Sequence, residues 1–263
     1  MCLIVLDWQP QAAIALVIAA NRDEFYARPT LPVHRWADKP ILAGKDLQAG
    51  GTWLGVSTTG RVAALTNYRD VSNMRATAPS RGEITTAFLE GTSSAREYLT
   101  ELAKQAPSYN PFNLFVFDGH ALWGFESRHQ RAFQLPEGVS AVSNADFNVP
   151  WPKLSRLREG FATTLRQHQV AQSPQMSDAS RNALIDLLAE RRTAPDAALP
   201  HTGISIERER ALSAEFIHTP DYGTRSSSLL CLGHNHADLT ERTFDATGFQ
   251  GEARQRISWQ ATV

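Results

Sequence analysis

Cys2 stands directly in front of the apolar run LIVL, so removal of Met1 would place a thiol and a free α-amine on one residue. Such an amine titrates near about 7.7 to 8, and part of the population is then a neutral base at physiological pH. A thiol that shares its residue with a base needs no separate histidine. The other reading of Cys2 is a small buried hydrophobe. The stretch AANRDEFYARP, residues 19–29, sets Arg22, Asp23 and Glu24 after an apolar strand and before Phe25 and Tyr26. Three charges in a row describe either a solvated loop or the charged edge of a core meeting aromatic walls. In the second case Asp23 is a strand-end carboxylate able to hold the Cys2 ammonium or thiol.

Further along, Asn67 in ALTNY and Asn144 in VSNAD sit where strands end, which suits turn residues as well as site residues. Phe25, Tyr26, Trp53, Tyr68 and Trp151 are either plain core or the lining of a cleft, and a cleft so lined favours an apolar or aromatic acyl group. Cys231, His234 and His236 in CLGHNH invite a metal reading, but they straddle an expected hairpin turn and have no second ligand cluster, so no metal site is expected.

The elements that must position these residues read as strands at both ends with helices between. Runs at 2–7 and 13–20 flank the polar, Pro-containing WQPQA and predict a largely buried hairpin. Residues 53–57 and 61–67 predict a second hairpin around Thr-Thr-Gly. Ser80 with Glu83 and Ser94 with Glu97 have capping-box spacing ahead of two helices. Strands follow around Asp-Gly in FNLFVFDGHALWGFES and in RAFQLPEGVSAVSNA, then helices over roughly 151–168 and 180–190. Residues 191–203 are loop-like, and TRSSSLLCL, ADLTERTFD and EARQRISWQAT predict the final strands. This order predicts one α+β domain over 1–263, antiparallel sheets with helices on their outer faces.

Composition restricts the partners. A net charge of -1 across 263 residues offers none of the basic excess that a phosphate backbone demands, so nucleic acid is not an expected ligand. The longest apolar run, AAIALVIAA, is far below the roughly 20 residues of a membrane-spanning helix. With no secretory signal and only two cysteines, a cytoplasmic location is expected.

The blocks MC, AANRDEFYARP, GGTWLGVSTTGRVAALTNYRD, NPFNLFVFD, VSNADFNVPWPKL and DYGTRSSSLL, in that order, resemble the NRDE family, also called the transport and Golgi organisation protein 2 family. The resemblance implies an N-terminal-nucleophile (Ntn) hydrolase fold, a four-layer αββα sandwich. The motif order is also similar to that of penicillin V acylases and bile salt hydrolases, with a leading Cys, a GRNxD segment, a GLNY-like strand end, a TNSP-like asparagine and a late Arg. It implies Cys2 as nucleophile with its own α-amine as proton shuttle, and Asp23 beside it. The resemblance also implies the Asn144 amide and the Asn67 backbone N–H as the oxyanion hole and Arg225 as the charge that lowers the thiol pKa. The acylases carry an arginine three residues before the aspartate, where this chain has Ala20; Arg22, immediately before Asp23, either serves from another angle or faces away.

The activity so implied is cleavage of a non-peptide C–N amide or a thioester in a small acylated substrate. Eukaryotic relatives in this family have been linked to haem movement and to lipid or acyl-CoA metabolism, so the resemblance also implies the alternative of a non-catalytic carrier for an amphipathic ligand. Eight histidines show no axial pair and no Cys-x-x-Cys-His motif occurs, so any haem is expected as a transient, non-covalent ligand.

Overall fold

The computed structural model describes residues 2–260. Two antiparallel sheets lie face to face. In one, β1 (Cys2–Trp8) and β2 (Ile14–Phe25) pair with β10 (Gly138–Val142), β11 (Tyr222–Gly233), β12 (His236–Asp245) and β13 (Gly248–Ser258) in the order β10-β1-β2-β11-β12-β13. The other runs β3 (Thr30–Arg35), β4 (Ile41–Asp46), β5 (Leu54–Ser57), β6 (Val62–Asn67), β7 (Phe112–Phe117), β8 (Leu122–Glu126) and β9 (Arg131–Gln134), each strand beside its sequence neighbour.

Strand parity explains why β1 and β2 are apolar on both sides. Ile4, Leu6, Leu16 and Ile18 point between the sheets and meet Leu54, Val56, Val62 and Phe115. Leu3, Val5, Val17 and Ala19 point the other way, onto Leu154, Leu157 and Phe161 of α3 (Pro152–Gln167) and Leu184 and Ile185 of α4 (Asp178–Asp186). A third core sits outside the second sheet, where Ile84 and Phe88 of α1 (Gly82–Glu90) and Leu99 and Leu102 of α2 (Ala95–Gln105) cover Ala63, Leu65, Leu114 and Phe125. The layers run helix, sheet, sheet, helix, the expected α+β sandwich. A short α5 (Ile206–Ala211) lies within the expected final strand region's approach, just after the loop-like segment.

Three features depart from the expected elements. β2 continues through Phe25, so Arg22, Asp23 and Glu24 belong to a strand and not to a loop behind it. β3, exposed or half-buried except at Val33, and β4, buried over Ile41–Ala43 and half-buried beyond, carry little alternation in sequence and are additional strands. The capping box forms at α2, where Ser94 and Glu97 bond reciprocally, but not at α1: its cap residue is Arg81, and Ser80 Oγ accepts the Gly82 N–H while Glu83 accepts the Tyr109 hydroxyl.

Candidate active site

At one end of the sandwich the start of β1, the ends of β2, β4 and β6, the start of α1 and the start of β11 surround a cavity of about 590 Å³. Two of its lining residues meet backbone to backbone: a Cβ on Gly51 would lie 2.5 Å from the Gly82 carbonyl carbon, so Gly-Gly-Thr-Trp and the first residue of α1 touch main chain to main chain.

Cys2 lines this cavity and is 6% exposed. It pairs with Arg22 across the β1–β2 ladder, and its carbonyl accepts the Ser143 hydroxyl at 3.1 Å. Burial pushes the thiol up from its ordinary value and the Asp23 charge adds to this, while Arg22 and a bond from the Asp23 backbone N–H pull it down. Arg22 is held in place by Asp46, whose Oδ2 accepts Arg22 Nη2 at 3.1 Å and Arg28 Nε at 2.6 Å. Burial alone would raise the Asp46 carboxyl, but these arginines and the Ala49 N–H keep it below the usual range.

Period-two geometry divides the NRDE stretch into two jobs. Arg22, Asp23 and Glu24 all line the cavity, and parity points the side chains of Arg22 and Glu24 to the face opposite that of Asp23. Asn21 and Asp23 share the parity of Ala19 and face the helical layer. Asn21 Nδ2 donates to the carbonyls of Leu188 and Glu215 at 2.9 and 2.8 Å, and its Oδ1 accepts Ser227 Oγ. Asp23 Oδ1 accepts Thr224 Oγ1 at 2.8 Å, and burial raises its pKa against the opposing charge of Lys153. Asp23 thus reaches the thiol through its backbone N–H, with its carboxylate on the far side of the sheet. Lys153 lies there too, fully buried, its ammonium without a hydrogen-bond partner among the described residues and pushed down to about 8 by burial.

Asn67 lines the cavity at the end of β6. Leu65 N–H bonds to Trp53 O on the β5 side and Tyr68 N–H to Pro111 O on the β7 side, so alternation turns the Asn67 N–H toward the β5 side, beyond that strand's end. Asn144 is fully buried beside it, and its amide donates to the Asn67 carbonyl at 2.7 Å. One N–H of Asn144 is therefore spent on holding Asn67.

Arg225 lines the same cavity as Cys2, with its guanidinium engaged by backbone carbonyls. It is the extra residue of a bulge between Thr224, opposite Asp23, and Ser226, opposite Arg22. The bulge turns its guanidinium to the carbonyls of Phe25, Tyr26, Arg28 and Phe244. It clamps the chain after β2, and the cation in register with Cys2 is Arg22.

The aromatic cleft is also corrected. Of the five candidates only Trp53 lines the cavity. Phe25 is 45% exposed and meets Tyr222 edge-on, Tyr26 bonds His218, Tyr68 lies under Arg128, and Trp151 lies under Arg69. The wall is charged instead, and Asp46, Arg28, Lys45, Arg81 and Glu241 are functional candidates the sequence reading did not single out. GKDLQAGG held a signal, since Asp46 Oδ1 accepts the N–H groups of Gln48 and Ala49 in a side-chain turn. Met1, whose removal the amine shuttle needs, lies outside the described residues.

The family model described as Transport and Golgi organisation 2 matches residues 1–246. The chain belongs to this family. Similar relatives include the Transport and Golgi organization protein 2 homolog of Homo sapiens, 32% identical over 92% of this chain and 93% of that protein. Another is the Bos taurus homolog, 31% identical with the same coverage. Transport and Golgi organization protein 2 of Drosophila melanogaster is 34% identical over 96% of this chain and 95% of its own length. Among solved structures, an N-acylethanolamine-hydrolyzing acid amidase ortholog of Caenorhabditis elegans overlaps 88% of this chain and 92% of its own at TM-score 0.46 and 10% identity. The C2A mutant of conjugated bile acid hydrolase from Clostridium perfringens overlaps 100% and 98% at TM-score 0.42 and 12% identity. For this family member the layer order rests on its own sheets and cores.

Proposed function

We propose that the chain is a cysteine hydrolase of the Ntn type that cleaves a non-peptide C–N amide or a thioester of a small acylated substrate. The observation that carries this reading is the Cys2 thiol on the wall of a charged cavity with Arg22 in register beside it. Once Met1 is removed, the Cys2 α-amine takes the thiol proton, sulfur bonds to the substrate carbonyl carbon, and the proton passes to the leaving nitrogen or sulfur as its bond to carbon breaks. Water then hydrolyses the thioester on Cys2. The Asn67 N–H and the second N–H of Asn144 are the donors for the oxyanion. Asp23 and Arg225 act as supports, one through its N–H and one through the chain it clamps. The test is labelling by a small thiol-reactive acyl probe at neutral pH on protein whose Met1 removal has been verified by intact mass. Label on Cys2 that is absent from Cys2→Ala supports the reading; no label sinks it.

The second reading is a carrier that takes up an amphipathic ligand without cutting it, favoured by a thiol that burial keeps protonated. For haem, Cys2 is the residue of axial-ligand type on the cavity wall among the described residues. A haem titration with a Soret shift that Cys2→Ala abolishes would favour this carrier.

A further inference from the structure

The cations around the cavity are not equivalent. Arg22 and Arg28 share Asp46, and Arg225 spends its donors on four carbonyls. Arg81 makes no ion pair with a carboxylate among the described residues and gives one Nη1 bond to the Pro111 carbonyl at 3.1 Å, which leaves further donors of its fork for a ligand. It lines the same cavity as Cys2, and burial works against its own charge there while Cys2 and Glu24 favour it. A half-buried guanidinium that feels the Glu24 charge but makes no ion pair among the described residues keeps donors suited to a planar anion.

The mouth has the opposite character. Seven large hydrophobic side chains are exposed on the described residues, and Leu31, Leu47, Met74 and Phe249 among them line the cavity or adjoin in sequence a residue that does. Leu31 is on the wall itself, and Phe249 packs on Phe244, which is also on the wall. Exposed apolar groups gathered at a site entrance mark a surface for apolar ligand.

We propose that the substrate class is an N-acylated α-amino acid: its carboxylate is held by Arg81, the amide beside it lies at Cys2, and its acyl chain runs out over the apolar rim. This deepens the hydrolase reading and rests on it for the bond that is cut. The polar end enters first, and Arg81 is the specificity-determining residue because the carboxylate and the amide nitrogen share one carbon, matching a guanidinium near the thiol.

The experiment is calorimetric titration of the Cys2→Ala chain with N-decanoylglycine, decanoyl ethanolamide and N-acetylglycine, each below its micelle concentration. N-decanoylglycine should bind about tenfold or more tighter than the ethanolamide, the scale of a charge-assisted hydrogen bond. That preference should vanish in Arg81→Gln and return in part in Arg81→Lys. Leu47→Ser with Phe249→Ser, both at exposed positions, should weaken N-decanoylglycine and leave N-acetylglycine unchanged. Equal affinity for the two decanoyl compounds, a preference that survives Arg81→Gln, or no saturable binding of N-decanoylglycine would overturn the assignment. The comparison in the Cys2→Ala background needs no change at Arg81, so a misfolded Arg81 variant does not shield it. Release of decanoate by the Cys2 protein is read separately: binding without release removes the hydrolase and leaves the ligand class, while release without preference does the reverse.

Discussion

Cys2 and Cys231 are both buried thiols, and the difference between them is what surrounds each. Cys231 lies in the apolar core under α3 and α4, where burial pushes it up to about 12. Cys2 is also raised by burial, but Arg22 stands beside it and pulls in the other direction. Alkylation of Cys2 by iodoacetamide should therefore keep accelerating above pH 9, with Cys231 silent, and Arg22→Gln should move the profile to still higher pH. Mass-spectrometric rates for each cysteine check this; a plateau below pH 8 would contradict it. Residue types together with the family resemblance singled out Cys2, Asp23, Asn67 and Asn144 as candidates in the sequence. The direction of each side chain was not legible there, because a strand sends neighbours to opposite faces and the phase is fixed only by pairing. Arg22 beside the thiol and the Asp23 carboxylate behind the sheet follow from that phase.

Among the elements, the ends of β2 and β11 decide the site more than their middles do. The apolar middles were readable as strands from composition, since both faces of this sheet are covered. The extension of β2 through Phe25 was not, because its outer residues bond to side chains and carbonyls contributed from more than 160 positions away, as Asn21 does with Leu188 and Glu215. The bulge that sets Arg225 against four backbone carbonyls likewise depends on the register of a partner strand. Local chemistry was legible where it closes within one turn, as at α2. Ser94→Ala removes the oxygen that accepts the Glu97 N–H and should cost about 1 kcal/mol. Ser80→Ala, outside any such box, should cost less, and urea midpoints of the two variants decide between them.

At the scale of the whole molecule, the buried charge of Lys153 links stability to pH. In the unfolded chain Lys153 keeps its proton to about pH 10.5, whereas in the fold burial makes it yield near 8. Between these values unfolding takes up a proton, so this group makes stability rise with pH; below 8 both states are protonated and its slope disappears. From pH 7.5 to pH 9 the rise is about 1 kcal/mol, and Lys153→Met should lack it. Urea unfolding at the two pH values measures the difference, and equal slopes in both proteins would exclude Lys153 as the source. The sheets with helices outside them were foreseeable from the order of strands and helices, while this lysine, placed in PWPKL on an otherwise amphipathic helix, carried no mark of burial.

The three stacked cores have a kinetic consequence. β1 and β2 form the wall shared by two of them, so their amides are shielded on both faces, whereas β13 at the edge alternates between half-buried and exposed positions. Exchange of backbone hydrogen for deuterium should be slowest along residues 3–7 and 16–20 and should there require opening of the entire sandwich, with β13 labelling through local fraying. The nucleophile candidate thus begins the most slowly exchanging strand of the molecule, and the cavity rim at residues 74–80, a stretch of loop, should label first. Heat or denaturant that admits deuterium to β1 would then dismantle Cys2's surroundings in the same event that unfolds the chain.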